Sequence, residues 1–310
     1  MLGFVWNLDP VLFHLGPLTI RYYGVVFVCT LVIAYFFWQW QMRRGGFGKA
    51  IIEGFITWGA VATIVGARLG HCLFYEMLPA LWTGTPNIYL EHPISILYFW
   101  QGGLASHGAT IGLVLALVMY ALIRKLSILE LMDRFSLSAA VGAAGVRLGN
   151  FLNSEIVGRA TDLPWAVRFA RYQDHGAAAR HPSQLYEFGL GLFVLLVLVL
   201  ADRWAGREKR PRGLLVGLFL LLYFTGRFLV EFVKEYQALD ESFLTMGQYL
   251  SIIPMVIGAV LLVLCIIHPM PTRAEGQLSP MAAESEPQQI ENSGKPAKTP
   301  RPRRNRRKRK

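Results

Sequence analysis

Seven times this chain runs for about twenty residues with almost nothing but apolar side chains, and that pattern constrains its fold more than any other feature. The runs lie near Leu18–Trp40, Ala50–Tyr75, Ile94–Ile123, Leu131–Phe151, Gln184–Asp202, Gly213–Lys234 and Thr245–His268. A helix rises about 1.5 Å per residue, so about 20 residues cross the ~30 Å of hydrocarbon in a bilayer. The expected fold is all-α, a polytopic membrane protein with about seven transmembrane helices. The third run is long enough to tilt or to begin as an interfacial segment. Composition agrees: 54% of the residues are hydrophobic and 16% charged, against about 45–50% and 25% in soluble domains.

Loop charge sets the expected orientation. Arg43, Arg44 and Lys49 lie between the first two runs, Arg124, Lys125 and Arg134 flank the next such loop, and Arg203 to Arg212 carries five basic residues. The alternate loops Glu76–Pro93 and Glu235–Leu244 contain no Lys or Arg. Positive-inside therefore places the N-terminus outside and the C-terminus inside. The loop from Leu152 to Ser183 is the exception, an outer loop with Arg159, Arg168, Arg171 and Arg180. Met1–Pro17 contains no Lys or Arg, which does not fit the charged start of a signal peptide.

The domain expected to carry the activity is 1–270, followed by a basic cytoplasmic tail over 271–310. Lys295–Lys310 alone holds ten Lys/Arg and no acid, so of the net charge of +11 only +1 belongs to the rest. Its Pro, Ser, Gln and Lys/Arg content cannot form a core, and disorder is expected. The tail reads as a solvated segment that reinforces topology, and no nucleic acid partner is expected. Cys29, Cys72 and Cys265 all sit inside apolar runs without ligand spacing, so neither disulfides nor a metal site is expected.

Against this apolar background, polar residues inside the runs need partners, because hydrocarbon supplies none. Arg147 ends the nearly uncharged stretch Phe135–Val146 and opens Arg147-Leu148-Gly149-Asn150-Phe151-Leu152-Asn153-Ser154-Glu155. An arginine at helix-centre depth costs roughly 2.5–3.5 kcal/mol on insertion scales. Counting along the runs puts Arg147, Arg227, Arg68, Tyr23 and His107 in the outer half of the bilayer, with His107 about mid-depth. Arg227 and Glu231 share a helical face at i, i+4, as a plain ion pair or as one that orients the guanidinium toward a phosphate. His107 stands among glycines that permit either close approach of a ligand or tight helix packing. His181-Pro182-Ser183-Gln184-Leu185-Tyr186-Glu187 opens the fifth run, where Pro182 suits a first helical turn.

Taken together, these stretches resemble the prolipoprotein diacylglyceryl transferases. The resemblance rests on Arg21-Tyr22-Tyr23-Gly24, Gly66-Ala67-Arg68-Leu69-Gly70, His107-Gly108, Gly145 to Arg159, His181 to Glu187, Gly226 to Phe232 and Met246-Gly247-Gln248. It runs in order from about Asp9 to His268 and does not cover the tail. Ala109 stands where the family commonly has a second glycine, and Ser106 where an aromatic is usual, so a slightly altered pocket is expected. The resemblance implies transfer of the diacylglyceryl group from phosphatidylglycerol to the lipobox cysteine thiol of prolipoproteins, forming a thioether and releasing glycerol phosphate. It places the enzyme in the bacterial inner membrane with its site facing the outer leaflet and its signal-peptide substrate in the bilayer.

That reading makes His107, Arg147, Arg227, Glu155 and Glu231 catalytic, with both glutamates positioning the arginines. Arg147, Arg227, Tyr23, Asn150, Asn153, Gly158 and Arg68 would bind phosphatidylglycerol, with His181, Gln184 and Glu187 in support and no metal or other cofactor. A free thiol with pKa about 8.5 needs a base near neutrality. His107 is the candidate base, and the alternative is a headgroup ligand, with the proton passing to Glu155 or water. The rival class is a lipid-binding transporter or scaffold without transferase activity; a retinal pump lacks its lysine, since Thr245–His268 contains none.

Overall fold

The computed structural model describes residues 4–16, 18–98, 103–235 and 244–268; the expected basic tail lies outside them. Three strands precede the first helix: β1 (Phe4–Trp6), β2 (Val11–Leu15) and β3 (Leu18–Arg21), with β2 and β3 paired as an antiparallel hairpin. Nine helices follow among the described residues. They are α1 (Tyr22–Arg44), α2 (Lys49–Gly70), α3 (Leu78–Thr83), α4 (Ile88–Glu91), α5 (Ser106–Ile123), α6 (Ile128–Leu152), α7 (Ser183–Trp204), α8 (Leu214–Glu231) and α9 (Met246–Ile267). A short strand, β4 (Val167–Phe169), lies in the α6–α7 loop and pairs in parallel with β1. Seven helical stretches are long and apolar enough to cross a membrane, and the fold is all-α apart from these small strands.

Of the boundaries that differ from the sequence expectation, three change the architecture. The first helix starts at Tyr22 because Leu18–Arg21 is drawn into the hairpin. The second stretch runs on through a π-helical turn at His71–Met77 into α3 as one element of 35 residues, Lys49–Thr83. The third span begins at Ser106 rather than Ile94. Pro93 opens only a short 3-10 turn, Pro93–Leu97, and Gly103 takes φ +71, which breaks the helical path.

Helix α6 is the axis of the bundle. Over half of its most apolar stretch is buried, 56% against 11% for α9, and it packs on α1, α7 and α8. Beside it, α2 and α5 cross through two matched small-residue pairs. A Cβ on Gly70 would lie 2.6 Å from Gly108 Cα, one on Gly112 would lie 3.1 Å from Gly66 Cα, and one on Gly108 would overlap Gly66 O. The spacing Gly66-xxx-Gly70 against Gly108-xxx-Gly112 lets the backbones touch, as small residues do in membrane helices. The glycines after His107 therefore serve helix packing.

At the end of the bundle formed by the α1 C-terminus and the α6 N-terminus, a second group of ions is buried. Arg134 meets Glu130 and Glu208 at 2.5 Å, Arg44 and Arg210 meet Asp202 at 2.7 and 2.8 Å, and Arg212 meets Glu130 at 3.2 Å. Asp133 accepts the backbone N–H groups of Gly213 and Val216, each at 2.8 Å. Four arginines face four carboxylates, so this cluster is charge-balanced and ties the ends of α1, α6 and α7 to the α7–α8 loop.

Because a methyl at Gly108 meets backbone, Gly108→Ala should destabilise the protein by about 1–3 kcal/mol, the usual range for overpacking. Gly142→Ala, where a Cβ meets nothing within 4 Å, should leave the melting temperature unchanged; equal melting temperatures would contradict the close crossing. Burial pushes the Glu208 carboxyl up, but Arg134 and Arg44 overcome it and hold it below the ordinary value of 4.5. A depressed carboxylate contributes stability above that ordinary value and loses it as pH falls through the folded-state value. Melting temperature should therefore drop on acidification below about pH 4.5, with a smaller drop in Glu208→Gln.

Candidate active site

The other end of the bundle gathers the residues singled out in the sequence. Arg147 lies on the last turns of α6 and Arg227 on the last turn of α8, and both converge on Glu187, one turn into α7. Arg147 Nε is 3.0 Å and Arg227 Nη1 3.4 Å from its carboxylate, and Lys234 Nζ is 3.0 Å away. Glu187 is 0% exposed, and the side chains of Arg147 and Arg227 are 12% and 17% exposed. A carboxylate with no access to water persists only when paired and hydrogen-bonded. The arginines are held by the same constraint, because moving either one uncovers a buried charge.

The carboxylates expected to position the arginines do other work. Glu231 pairs with Lys234 at 3.3 Å and not with Arg227. Its carboxylate lies against the first turn of α9, where a Cβ on Gly247 would come within 2.5 Å of it. A helix N-terminus favours such a negative charge. Thr245 and Gln248 complete a capping box there, which accounts for Met246-Gly247-Gln248. The i, i+4 spacing misleads because Arg227 reaches across to α7 instead of along its own helix.

Glu155 is turned back toward α6 by the loop that follows it, its N–H bonding Asn150 O at 3.0 Å. Its Oε1 accepts from Asn150 Nδ2 at 2.8 Å and Asn153 Nδ2 at 3.4 Å, while Asn150 Oδ1 accepts from Arg147 at 3.4 Å. The two asparagines thus stand between Glu155 and the arginine. Gln184 Nε2 donates to Glu155 O at 2.8 Å, so the start of α7 fixes this loop. Tyr23, on the first turn of α1, lays its ring on Gly149, where a Cβ would sit 2.7 Å from Cδ2, and Arg147 and Glu155 both act on its hydroxyl electrostatically.

His107 is the second residue of α5, so it stands at a helix end instead of mid-depth as the longer expected span implied. Arg147 and Arg227 both act on it electrostatically, and its Nδ1 lies 3.5 Å from Tyr75 Oη. Arg68 stays outside the cluster. It donates to Ser95 O and Ile96 O at 2.8 Å and to Gly103 O at 3.3 Å, with its guanidinium over the Tyr89 ring. These bonds close the segment that leads into α5 and so place His107.

Gly158 occupies a backbone crossing. A Cβ there would meet His181 Cβ at 2.5 Å and Val233 O at 2.7 Å, and Arg159 N donates to Val233 O at 2.8 Å. The crossing holds the turn after α8 and brings Lys234 to Glu187. His181 Nδ1 lies 3.2 Å from Tyr186 Oη, which accepts Trp165 Nε1–H at 2.8 Å. An indole only donates, so the tyrosine proton is free for the imidazole. Burial pushes the His181 pKa down, in keeping with a neutral ring that accepts there.

Lys234 is the residue that sequence reasoning missed, because it stood as the last residue of an expected span and was given no role. The helix stops at Glu231 and the chain turns back. Burial pushes the Lys234 pKa down against the opposing pull of Glu187. Three cations, Arg147, Arg227 and Lys234, face two carboxylates, Glu187 and Glu231. One positive charge is left over, which suits a singly charged anion such as a phosphodiester.

Seven membrane-length helices around a buried cluster with more cations than acids define a multi-pass membrane protein equipped to hold an anion. A sequence model of the prolipoprotein diacylglyceryl transferases matches residues 10–264, and the chain belongs to that family. Similar proteins named phosphatidylglycerol–prolipoprotein diacylglyceryl transferase occur in several bacteria. That of Tolumonas auensis is 38% identical over 264 residues, covering 84% of this chain and 96% of its own. Those of Cupriavidus metallidurans and Chloroherpeton thalassium are 37% and 38% identical, over 82% and 83% of this chain and 92% of their own.

Replacing Glu187 by Gln leaves the three cations facing one another, and breaking a buried pair this way costs about 3–5 kcal/mol. Glu187→Gln should lower both melting temperature and turnover, and Glu187→Asp should recover much of the stability with less of the turnover. Wild-type turnover in Glu187→Gln would contradict a positioning role for this carboxylate.

Proposed function

We propose that the chain transfers the diacylglyceryl group of phosphatidylglycerol to the thiol of a prolipoprotein's lipobox cysteine, at the outer leaflet of the bacterial inner membrane. The observation that carries this is the unmatched positive charge around Glu187, contributed by α6, α8 and the turn after α8. Positive-inside charge supports a topology with the N-terminus and this end of the bundle outside.

The phosphodiester of the lipid would take the donors of Arg147 and Arg227 that Glu187 leaves free. Each guanidinium has five N–H donors, so pairing with Glu187 does not exhaust it. The cysteine sulfur attacks the diacylglycerol carbon bonded to the phosphate oxygen. A carbon–sulfur bond forms, the carbon–oxygen bond breaks with its electron pair going to phosphate, and glycerol phosphate leaves. Charge gathers on that phosphate in the transition state, where fixed guanidinium groups favour it most. The thiol proton goes to His107, which stands at the start of α5 within electrostatic range of both arginines. Asn150, Asn153 and Tyr23 supply hydrogen bonds to the headgroup or acceptor, with Glu155 holding the asparagines in place.

Purified protein in detergent, given phosphatidylglycerol and a lipobox peptide, should add one diacylglyceryl mass to the peptide. Lipid binding without any adduct would point to a transporter or scaffold instead. Arg147→Ala and Arg227→Ala should each lower turnover by at least about 10²-fold, as loss of a charge-stabilising donor does. Arg227→Lys should recover little, lacking the planar fork. His107→Gln should lose most of the rate, and a near-normal rate at neutral pH would remove the histidine as base.

A further inference from the structure

Beside the arginine cluster, the loop after α6 borders an open cleft of about 790 Å³. Asn153, Ser154 and Glu155 supply its wall on the α6 side, and Tyr172, Gln173 and Glu235 are among the residues that line the rest. Tyr172 donates to Glu235, and Arg180 pairs with Glu235 at 3.1 Å, so this lining is braced. On the α6 side, Ser154 is only 3% exposed, yet its hydroxyl has no hydrogen-bond partner among the described residues, nor has Asn153 Oδ1. Buried polar groups are rarely left unpaired in a native protein. Ser154 and Ile156 also hold φ of +57 and +56, a region sparsely used by side-chain-bearing residues and least by β-branched ones.

We propose that this cleft receives the polar segment of the acceptor polypeptide that follows the modified cysteine. The proposal rests on the transferase reading above and deepens it. The acceptor's apolar helix lies in lipid, but its chain must continue from the cysteine toward water, and this cleft lies just past the end of α6, beside Glu155. Its volume exceeds that of a glycerol headgroup several-fold and accommodates a few residues of extended chain. Such a chain offers alternating N–H and C=O groups, the partners that the Ser154 hydroxyl and Asn153 Oδ1 lack. Asn150 and Glu155 join the two sites, because the carboxylate on the cleft wall bonds the same asparagine that Arg147 contacts.

The test uses full-length protein in phosphatidylglycerol-containing detergent and two synthetic acceptors. Both carry an apolar signal helix and a cysteine; one stops directly after it, and the other continues for about eight polar residues, ~26–29 Å when extended. In the longer acceptor a benzoylphenylalanine at the fourth position after the cysteine should cross-link to residues 153–156 or 171–173. Ser154→Gly removes the hydroxyl and relieves the positive φ, so it should fold. It should raise KM for the longer acceptor about 3- to 10-fold, the effect of one lost hydrogen bond. KM for the short acceptor and for phosphatidylglycerol should not move. Gln173→Trp, which fills the cleft, should give the same pattern. Cross-links elsewhere, an unchanged KM in both variants, or a change in KM for phosphatidylglycerol instead would each overturn the proposal. Cross-linking at the cleft without any thioether product would retain the peptide site and refute the transferase reading.

Discussion

A single carboxylate with no contact with water organises the Arg147 end of this protein. Glu187 sits one turn into α7 and is met by two guanidinium groups and an ammonium from α6, α8 and the turn after α8. In a medium that cannot solvate ions, none of the four groups is stable alone. Their mutual pairing fixes where three helices end relative to one another. Much nearby structure serves that meeting: the Gly158 crossing delivers Lys234, and Gln184 holds the loop carrying Glu155.

Buried arginines by themselves do not distinguish function from scaffolding in this molecule, since both ends of the bundle contain them. The group around Asp202 and Glu130 has as many carboxylates as arginines and ties three helix ends to one loop. Around Glu187 the cations outnumber the acids, and a further carboxylate, Glu155, is kept on asparagines. A balanced cluster has nothing to gain from another anion, whereas the unbalanced one does. Charge balance, rather than the leaflet in which arginines accumulate, is what separates the two.

Much of this was legible in the residues. Seven apolar runs predicted seven spans, and Arg147 and Arg227, isolated in such runs, announced a shared site. What was not legible depends on where chains turn. His107 sits on the first turn of α5 because Pro93 and Gly103 interrupt a run that hydropathy alone extends to Ile94. The Arg227–Glu231 spacing suggested a pair along one helix, but the guanidinium found its acid on α7, a choice made by packing between helices. Lys234 ends an expected span, but the helix stops at Glu231 and the turn after it carries the lysine to Glu187. Arg68 carries the same apparent cost of burial as the site arginines, but the fold satisfies it with backbone carbonyls. Glu187 did leave a signal, as the one acid in Gln184–Ala201.

The central claim is that the surplus charge around Glu187 exists to hold the phosphate of an anionic lipid. An experimental structure with phosphatidylglycerol bound tests it most directly. The account predicts the lipid phosphate within hydrogen-bond distance of both Arg147 and Arg227, with His107 facing the diacylglycerol carbon bonded to it. A phosphate bound among Arg44, Arg134 and Arg210 at the opposite end, or Arg147 and Arg227 making no contact with it, would contradict the account.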